Sequence, residues 1–184
     1  MKKLTIFVDM DGTIERLLEV WIARLNKRHG LNITIDDVTC WDMTRVFSEL
    51  TPEEVFEPFS DDSIWHEIEP MEGAGEVLEE WIKSGHRVYI VTASQYESLK
   101  AKMDGLLFRC FPFIRWENVI IIENKQLLKG DVMIDDGLHN LIGGDYEKIL
   151  FDAPYNRTVD DKLFGLTRVK SWAEVRAAVA GLCE

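Results

Sequence analysis

The stretch LTIFVDMDGT, residues 4–13, runs apolar side chains directly into two carboxylates spaced one residue apart. Leu4, Ile6, Phe7 and Val8 favour burial, whereas Asp9 and Asp11 resist it. A short apolar run of this kind reads as a buried strand. A buried strand that ends in paired carboxylates predicts a polar site at the mouth of a sheet. The partners of that site must come from elsewhere in the chain.

Further strand signals follow at intervals. Arg87-Val88-Tyr89-Ile90-Val91 ends at Thr92, and Val119 to Ile122 is a pure β-branched run that predicts a buried strand. Val132-Met133-Ile134 ends at Asp135-Asp136, Ile149-Leu150-Phe151 is another strand, and Thr167-Arg168-Val169 a weaker one. Helical patterns lie between them. Val77, Leu78, Trp81 and Ile82 share a face, Ser94 to Glu97 has the spacing of a capping box, and so does Ser171 to Glu174. The alternation predicts an α/β fold, a doubly wound parallel sheet with helices on both faces.

Residues 15–70 break the alternation. Leu17, Leu18, Trp21, Ile22 and Leu25 form one apolar helix face, and Gly30 suits its C-terminal end. Thr51-Pro52-Glu53-Glu54 is a capping box with proline at the first helical position, and Thr34 to Asp37 repeats the signal more weakly. No strand pattern intervenes. The predicted organisation is a core of residues 1–14 and 71–184 with a small helical cap, residues 15–70, inserted after the first strand.

Composition narrows the function. The 184 residues suit one core with a small insertion. A formal net charge of −12 argues against a nucleic acid polymer as partner, because backbone binding needs a basic face. A small anion can still find a locally positive pocket. Cys40, Cys110 and Cys183 form neither a disulfide framework nor a zinc motif. The five-residue apolar run after Lys2-Lys3 is too short for a signal peptide or membrane span, so a soluble, cytoplasmic protein without membrane contact is expected.

The strand ends carry Asp9 and Asp11, then Thr92, then Lys125 just beyond the third strand, then Asp135 and Asp136. Four carboxylates at one sheet edge repel one another without a cation. A hard divalent ion with oxygen ligands relieves that repulsion, and Mg²⁺ suits a site with few carboxylates and several waters. A calcium loop does not fit: glycine falls at its fourth position rather than its sixth, and Val20 stands where glutamate is needed.

Taken in order, Asp9-Met10-Asp11-Gly12-Thr13, Thr92, Lys125 and Asp135-Asp136 resemble the four motifs of the haloacid dehalogenase (HAD) superfamily of phosphotransferases. Within it, Ile68-Glu69-Pro70-Met71-Glu72-Gly73-Ala74, Asn124-Lys125 and Gly130 to Asp136 are similar to the 5'(3')-deoxyribonucleotidases and their bacterial relatives, as is Phe151-Asp152-Ala153-Pro154-Tyr155-Asn156. The resemblance implies a cap after the first motif and an aspartyl-phosphate mechanism. Asp9 would be the nucleophile and Asp11 the general acid and base, which calls for a raised Asp11 pKa. Asp9, the Asp11 carbonyl and Asp136 would hold Mg²⁺, with Asp135 on a metal-bound water or on the lysine. Thr92 and Lys125 would bind the phosphate, aided by the helix start near Ser94.

The implied substrate is a phosphate monoester, foremost a nucleoside monophosphate. Trp65 follows as a base-stacking candidate from the aromatic-rich insertion. Two positions depart from the animal enzymes: their aromatic residue eight after the nucleophile is Leu17 here, and their basic residue after the aspartate pair is Gly137. A HAD phosphatase for a sugar phosphate or another small ester is the alternative within the same chemistry. A receiver-like phospho-aspartate module is the alternative outside it. Receivers end a middle strand in aspartate, where this chain has Thr92, and they lack such an insertion.

Overall fold

The computed structural model describes residues 2–183. Six strands, β1 (Thr5–Asp9), β2 (Arg87–Thr92), β3 (Val119–Ile121), β4 (Lys129–Asp135), β5 (Asp145–Phe151) and β6 (Leu166–Val169), form one sheet in the order β3-β2-β1-β4-β5-β6. Every pairing is parallel. β1 lies in the interior, with Ile6 opposite both Val88 and Val132, and Val8 opposite both Ile90 and Ile134. Both faces of β1 are covered and neither edge is free, which is why Leu4, Ile6, Phe7 and Val8 are all apolar. The strand order reverses at β1, so the crevice above its carboxyl end is where such a sheet binds ligands.

The two faces separate by the period of two along each strand. Ile6, Val8, Val88, Ile90, Val132, Ile134 and Ile149 join one cluster with the helices Ala74–Lys83 and Trp172–Gly181. Phe7, Val91, Met133 and Leu150 join the other, covered by Leu141 of the short helix Leu138–Leu141 and by Tyr146. Each aliphatic side chain fully buried in these layers stabilises the fold by about 1.5–3 kcal/mol before entropy is counted.

Residues 15–70 contain only helical turns and single bridges. The helix Leu17–His29 ends on Gly30 in the left-handed conformation, φ +67°. The Thr51–Glu54 capping box closes in both directions, and at Thr34 the backbone N–H and the hydroxyl both donate to Asp37 Oδ2. Trp21, Ile22, Leu25, Val38, Met43, Phe47 and Val55 make a separate small cluster. The segment is joined to the sheet by a short antiparallel ribbon. Met71 N–H donates to the Ile14 carbonyl at 2.8 Å, and Arg16 N–H to that of Glu69 at 3.0 Å. The helix Ile64–Glu67 behaves differently, since Ile64, Trp65 and Ile68 pack with the sheet's own cluster.

Two local expectations are corrected. The β-branched run at 119–122 forms β3 at the sheet edge, half-buried rather than buried, with Ile121 38% exposed. Its side chains suit the pleat whether or not a second neighbour is present. Ser94 does not cap the next helix, which spans Tyr96–Lys102 with Gln95 at its N-cap. The Ser94 hydroxyl is drawn instead to Lys102 Nζ, 3.2 Å away. Among the described residues, no helix is long and apolar enough to cross a membrane.

Candidate active site

The strand ends meet above β1 as two linked groups. In the first, Asp9 ends β1, Asp135 ends β4 and Lys125 begins a 3₁₀ turn, Lys125–Leu127, after β3. Lys125 Nζ donates to Asp9 Oδ1 and, at 2.7 Å, to Asp135 Oδ2. Asp135 Oδ1 accepts from Gly137 N–H at 2.7 Å and Asn140 Nδ2 at 3.0 Å, so both of its oxygens are engaged. Asp136 Oδ2 accepts the Tyr155 hydroxyl, and the Asp136 carbonyl accepts Asn156 Nδ2 at 2.9 Å. All three aspartates are buried, and their ligand oxygens lie within 4.8 Å of one another.

The second group is centred on a residue the sequence reading did not single out. Lys102, 3% exposed, points its Nζ at Asp11 Oδ2 (2.5 Å), Thr92 Oγ1 (3.1 Å) and Ser94 Oγ. Its ammonium also sits 5.6 Å from the centre of the Trp65 ring, a cation–π distance. Lys102 closes its helix just before a π-helical turn, Met103–Leu107; such turns are frequent at functional sites. The sequence did carry a signal. Leu99, Lys102, Met103 and Leu106 follow helical spacing, which puts a lysine on an apolar face.

Glu15 is the other residue missed. It is fully buried, neither carboxyl oxygen has a basic partner, and it faces the equally unpartnered Asp11 Oδ1. Burial and the adjacent Asp11 push the Glu15 carboxyl well above its ordinary range. Two facing carboxyls satisfy each other by sharing one proton. No periodicity marks Glu15, because it lies in the linker between strand and helix.

Electrostatics divides the carboxylates. Burial, opposed by Lys125 and reinforced by Asp135 and Asp11, raises Asp9 to about 7. Asp136 is also raised, by burial and then by Asp9 and Asp135. Burial would raise Asp11 too, but Lys102 and the Glu15 proton outweigh it and hold Asp11 below the usual range. The raised Asp11 pKa expected from sequence is not what this arrangement favours: the carboxyl that is pushed up is the buried Glu15 beside it. Burial would lower Lys125, and the two carboxylates beside it reverse that.

The other sequence-derived candidates fall at different depths. Thr92 ends β2, fully buried, and Ser94 is half-buried beside it. Leu17 opens its helix, half-buried against the sheet cluster. Trp65 is only 4% exposed, with Lys102 over its ring.

Gly12 follows Asp11 with φ +74°, and a Cβ there would collide with Asp136 Oδ2 and approach the Tyr155 hydroxyl to 3.3 Å. Trp172 Nε1 holds the same turn by donating to the Thr13 carbonyl at 3.0 Å. Gly12→Ala is expected to cost about 1–2 kcal/mol from its backbone alone and to displace Asp136. Melting and turnover should both fall, and an unchanged melting temperature would contradict this packing.

Known proteins resemble this chain in sequence and in fold. Residues 2–182 match the family described as 5' nucleotidase, deoxy (pyrimidine), cytosolic type C protein. The chain is 37% identical over 177 residues to the 5'(3')-deoxyribonucleotidase of Bacillus subtilis, covering 95% of this chain and 97% of that one. Among solved structures, a haloacid dehalogenase-like protein from Agrobacterium tumefaciens superposes with a TM-score of 0.67 at 13% identity, covering 100% of both chains. A HAD hydrolase from Bacillus subtilis bound to magnesium gives 0.59 at 15% identity, covering 97% of this chain and 99% of that one. With a six-stranded parallel sheet that shares the fold of haloacid dehalogenase-like proteins, this chain belongs to the family of 5' nucleotidase, deoxy (pyrimidine), cytosolic type C proteins, which are phosphoric monoester hydrolases.

Proposed function

We propose that this protein is a Mg²⁺-dependent phosphatase that hydrolyses nucleoside monophosphates, deoxy in preference to ribo, through an aspartyl-phosphate on Asp9. The observation that carries the reading is Asp9 itself: a buried carboxylate at the strand-order switch, facing Lys125, with Asp135 and Asp136 beside it. The donor set fits a hard cation, being oxygen-only with three carboxylates against one ammonium. Asp9, the Asp11 carbonyl and Asp136 would hold the ion. Asp135, whose oxygens already accept from Lys125, Gly137 and Asn140, would orient the lysine. When bound, Mg²⁺ would supply positive charge against the phosphate dianion.

The rest is done by the protein. Asp9 attacks phosphorus and the ester P–O bond breaks. Asp11, in its proton-sharing pair with Glu15, returns a proton to the leaving oxygen. Asp11 then takes a proton from the water that cleaves the acyl phosphate, releasing phosphate and restoring Asp9. Lys125, Lys102 and Thr92 face the phosphate oxygens, where preorganised donors do most of the work in phosphoryl transfer. We place the leaving group between residues 15–70, acting as a cap, and the sheet edge. We assign the half-buried Leu17 and Ser94 to that space, with the buried Trp65 ring beneath Lys102 below it.

The substrate class rests on family membership and on the Bacillus subtilis relative's name. The test compares kcat/KM for several deoxynucleoside monophosphates with a panel of sugar phosphates, with Mg²⁺ and after chelation. The expected result is a preference of at least about tenfold, or ~1.4 kcal/mol, for the nucleotides, and loss of turnover on chelation. The reverse preference would leave the phosphatase chemistry standing and remove the nucleotidase reading.

A further inference from the structure

The segment from Phe151 to Arg157 lies outside the four motifs, yet it is tied to Asp136. Asn156, 2% exposed, donates Nδ2 to the Asp136 and Phe151 carbonyls at 2.9 and 2.8 Å. Its Oδ1 accepts from Ala153 N–H at 3.1 Å and Arg168 Nη1 at 2.7 Å. Arg168 is in turn fixed by Asp152 and Asp161. This network, buried at Asn156 and half-buried at Arg168, sets the position of the neighbouring Tyr155.

Tyr155 faces two ways. Its hydroxyl donates to Asp136 Oδ2, over the space left by Gly12. Its ring packs on the small cluster of residues 15–70, and among the described residues it is the one hydrophobic side chain from outside that segment to do so. Arg157 and Asp36 add an ion pair at 3.6 Å beside it. The insertion is therefore held to the sheet's side at a point away from its ribbon at Ile14 and Met71.

We propose that Tyr155 is a positioning residue that couples the seating of residues 15–70 to the cation site. Its ring registers the cap, and its hydroxyl fixes one oxygen of Asp136, leaving the other for the ion. The inference rests on the Mg²⁺ reading given above. Hydrogen bonds that orient a metal-binding carboxylate are worth about 10–100-fold in metal affinity, and coupling between two sites is reciprocal.

The test uses the full chain and Mg²⁺ alone, with binding measured by calorimetry and cap seating by hydrogen exchange of residues 15–70. Tyr155→Phe keeps the ring and removes the hydroxyl. It should weaken Mg²⁺ binding about tenfold or more, leave melting and cap exchange near wild type, and recover kcat at saturating Mg²⁺. Tyr155→Ala should weaken Mg²⁺ equally and also speed exchange in the cap. In the wild type, Mg²⁺ should slow cap exchange, and Tyr155→Phe should lose that response. Wild-type Mg²⁺ affinity in Tyr155→Phe overturns the proposal while leaving the metal site intact. A wild-type protein that binds no Mg²⁺ overturns the metal reading and this proposal with it.

Discussion

Asp9→Asn is expected to abolish turnover and, in chelated protein at pH 8, to raise the melting temperature. An amide is a poor nucleophile toward phosphorus, so kcat should fall by at least about 10³-fold, ~4 kcal/mol of barrier. The stability gain follows from linkage. Burial raises Asp9 from 3.8 to about 7. Between those values the folded protein keeps a proton that the unfolded chain has released. Stability therefore falls as pH rises from about 4 to 7 and stays low above. At roughly 1.4 kcal/mol per unit the ionised group costs a few kcal/mol, and relaxation of the cluster reduces this to about 1–2. Asparagine removes the charge and can still accept from Lys125. A rise of about 2–8 °C is expected for a chain of this size. Mg²⁺ should narrow the gap by stabilising the wild type more than the variant. Retention of more than a tenth of kcat would rule out covalent catalysis at Asp9, and a lower melting temperature would rule out the electrostatic cost.

The same physics explains what the sequence could reveal. β1, β2 and β4 were legible because an inner parallel strand has both faces covered and so leaves an apolar run without polar interruption. Once those runs are aligned in parallel, their last residues must share one edge, and Asp9, Thr92 and Asp135 do. The helices of residues 15–70 were legible through their capping signals, since Thr34, Thr51 and Gly30 act within three or four residues of chain.

What stayed hidden depends on residues distant in sequence. The edge position of β3 is a property of strand order, and a run of valine and isoleucine carries no information on how many neighbours it has. Lys102 reaches Asp11 only because the helix after β2 folds back over the strand ends. The Glu15 carboxyl is pushed upward by burial and by Asp11, four residues away. Trp65 reads as a cap aromatic by position, yet its ring is buried with the sheet cluster, because the chain is already returning to the core at Ile64–Glu67.

Lys125→Met should produce the opposite stability change to Asp9→Asn and the other large loss of activity. Lys125 is 1% exposed and is the only cation that both Asp9 and Asp135 touch among the described residues. Methionine fills a similar volume but leaves three buried carboxylates whose oxygens lie within 4.8 Å of one another. Breaking a buried pair by removing one partner typically costs about 3–5 kcal/mol, because the partner left behind is charged and dry. The carboxylates should respond by taking up protons, so the loss should shrink as pH falls toward 5 and grow above 7. Mg²⁺ should restore part of the stability, since it replaces the missing positive charge. It should not restore turnover, because Lys125 also faces the phosphate in the proposed reaction. Removal of one such preorganised donor costs about 10²–10³ in kcat. Melting curves across pH, with and without Mg²⁺, separate the two roles. Wild-type stability at pH 8 without metal would show that Asp9 and Asp135 do not depend on Lys125. Recovery of full turnover with Mg²⁺ would show that the lysine serves the fold alone.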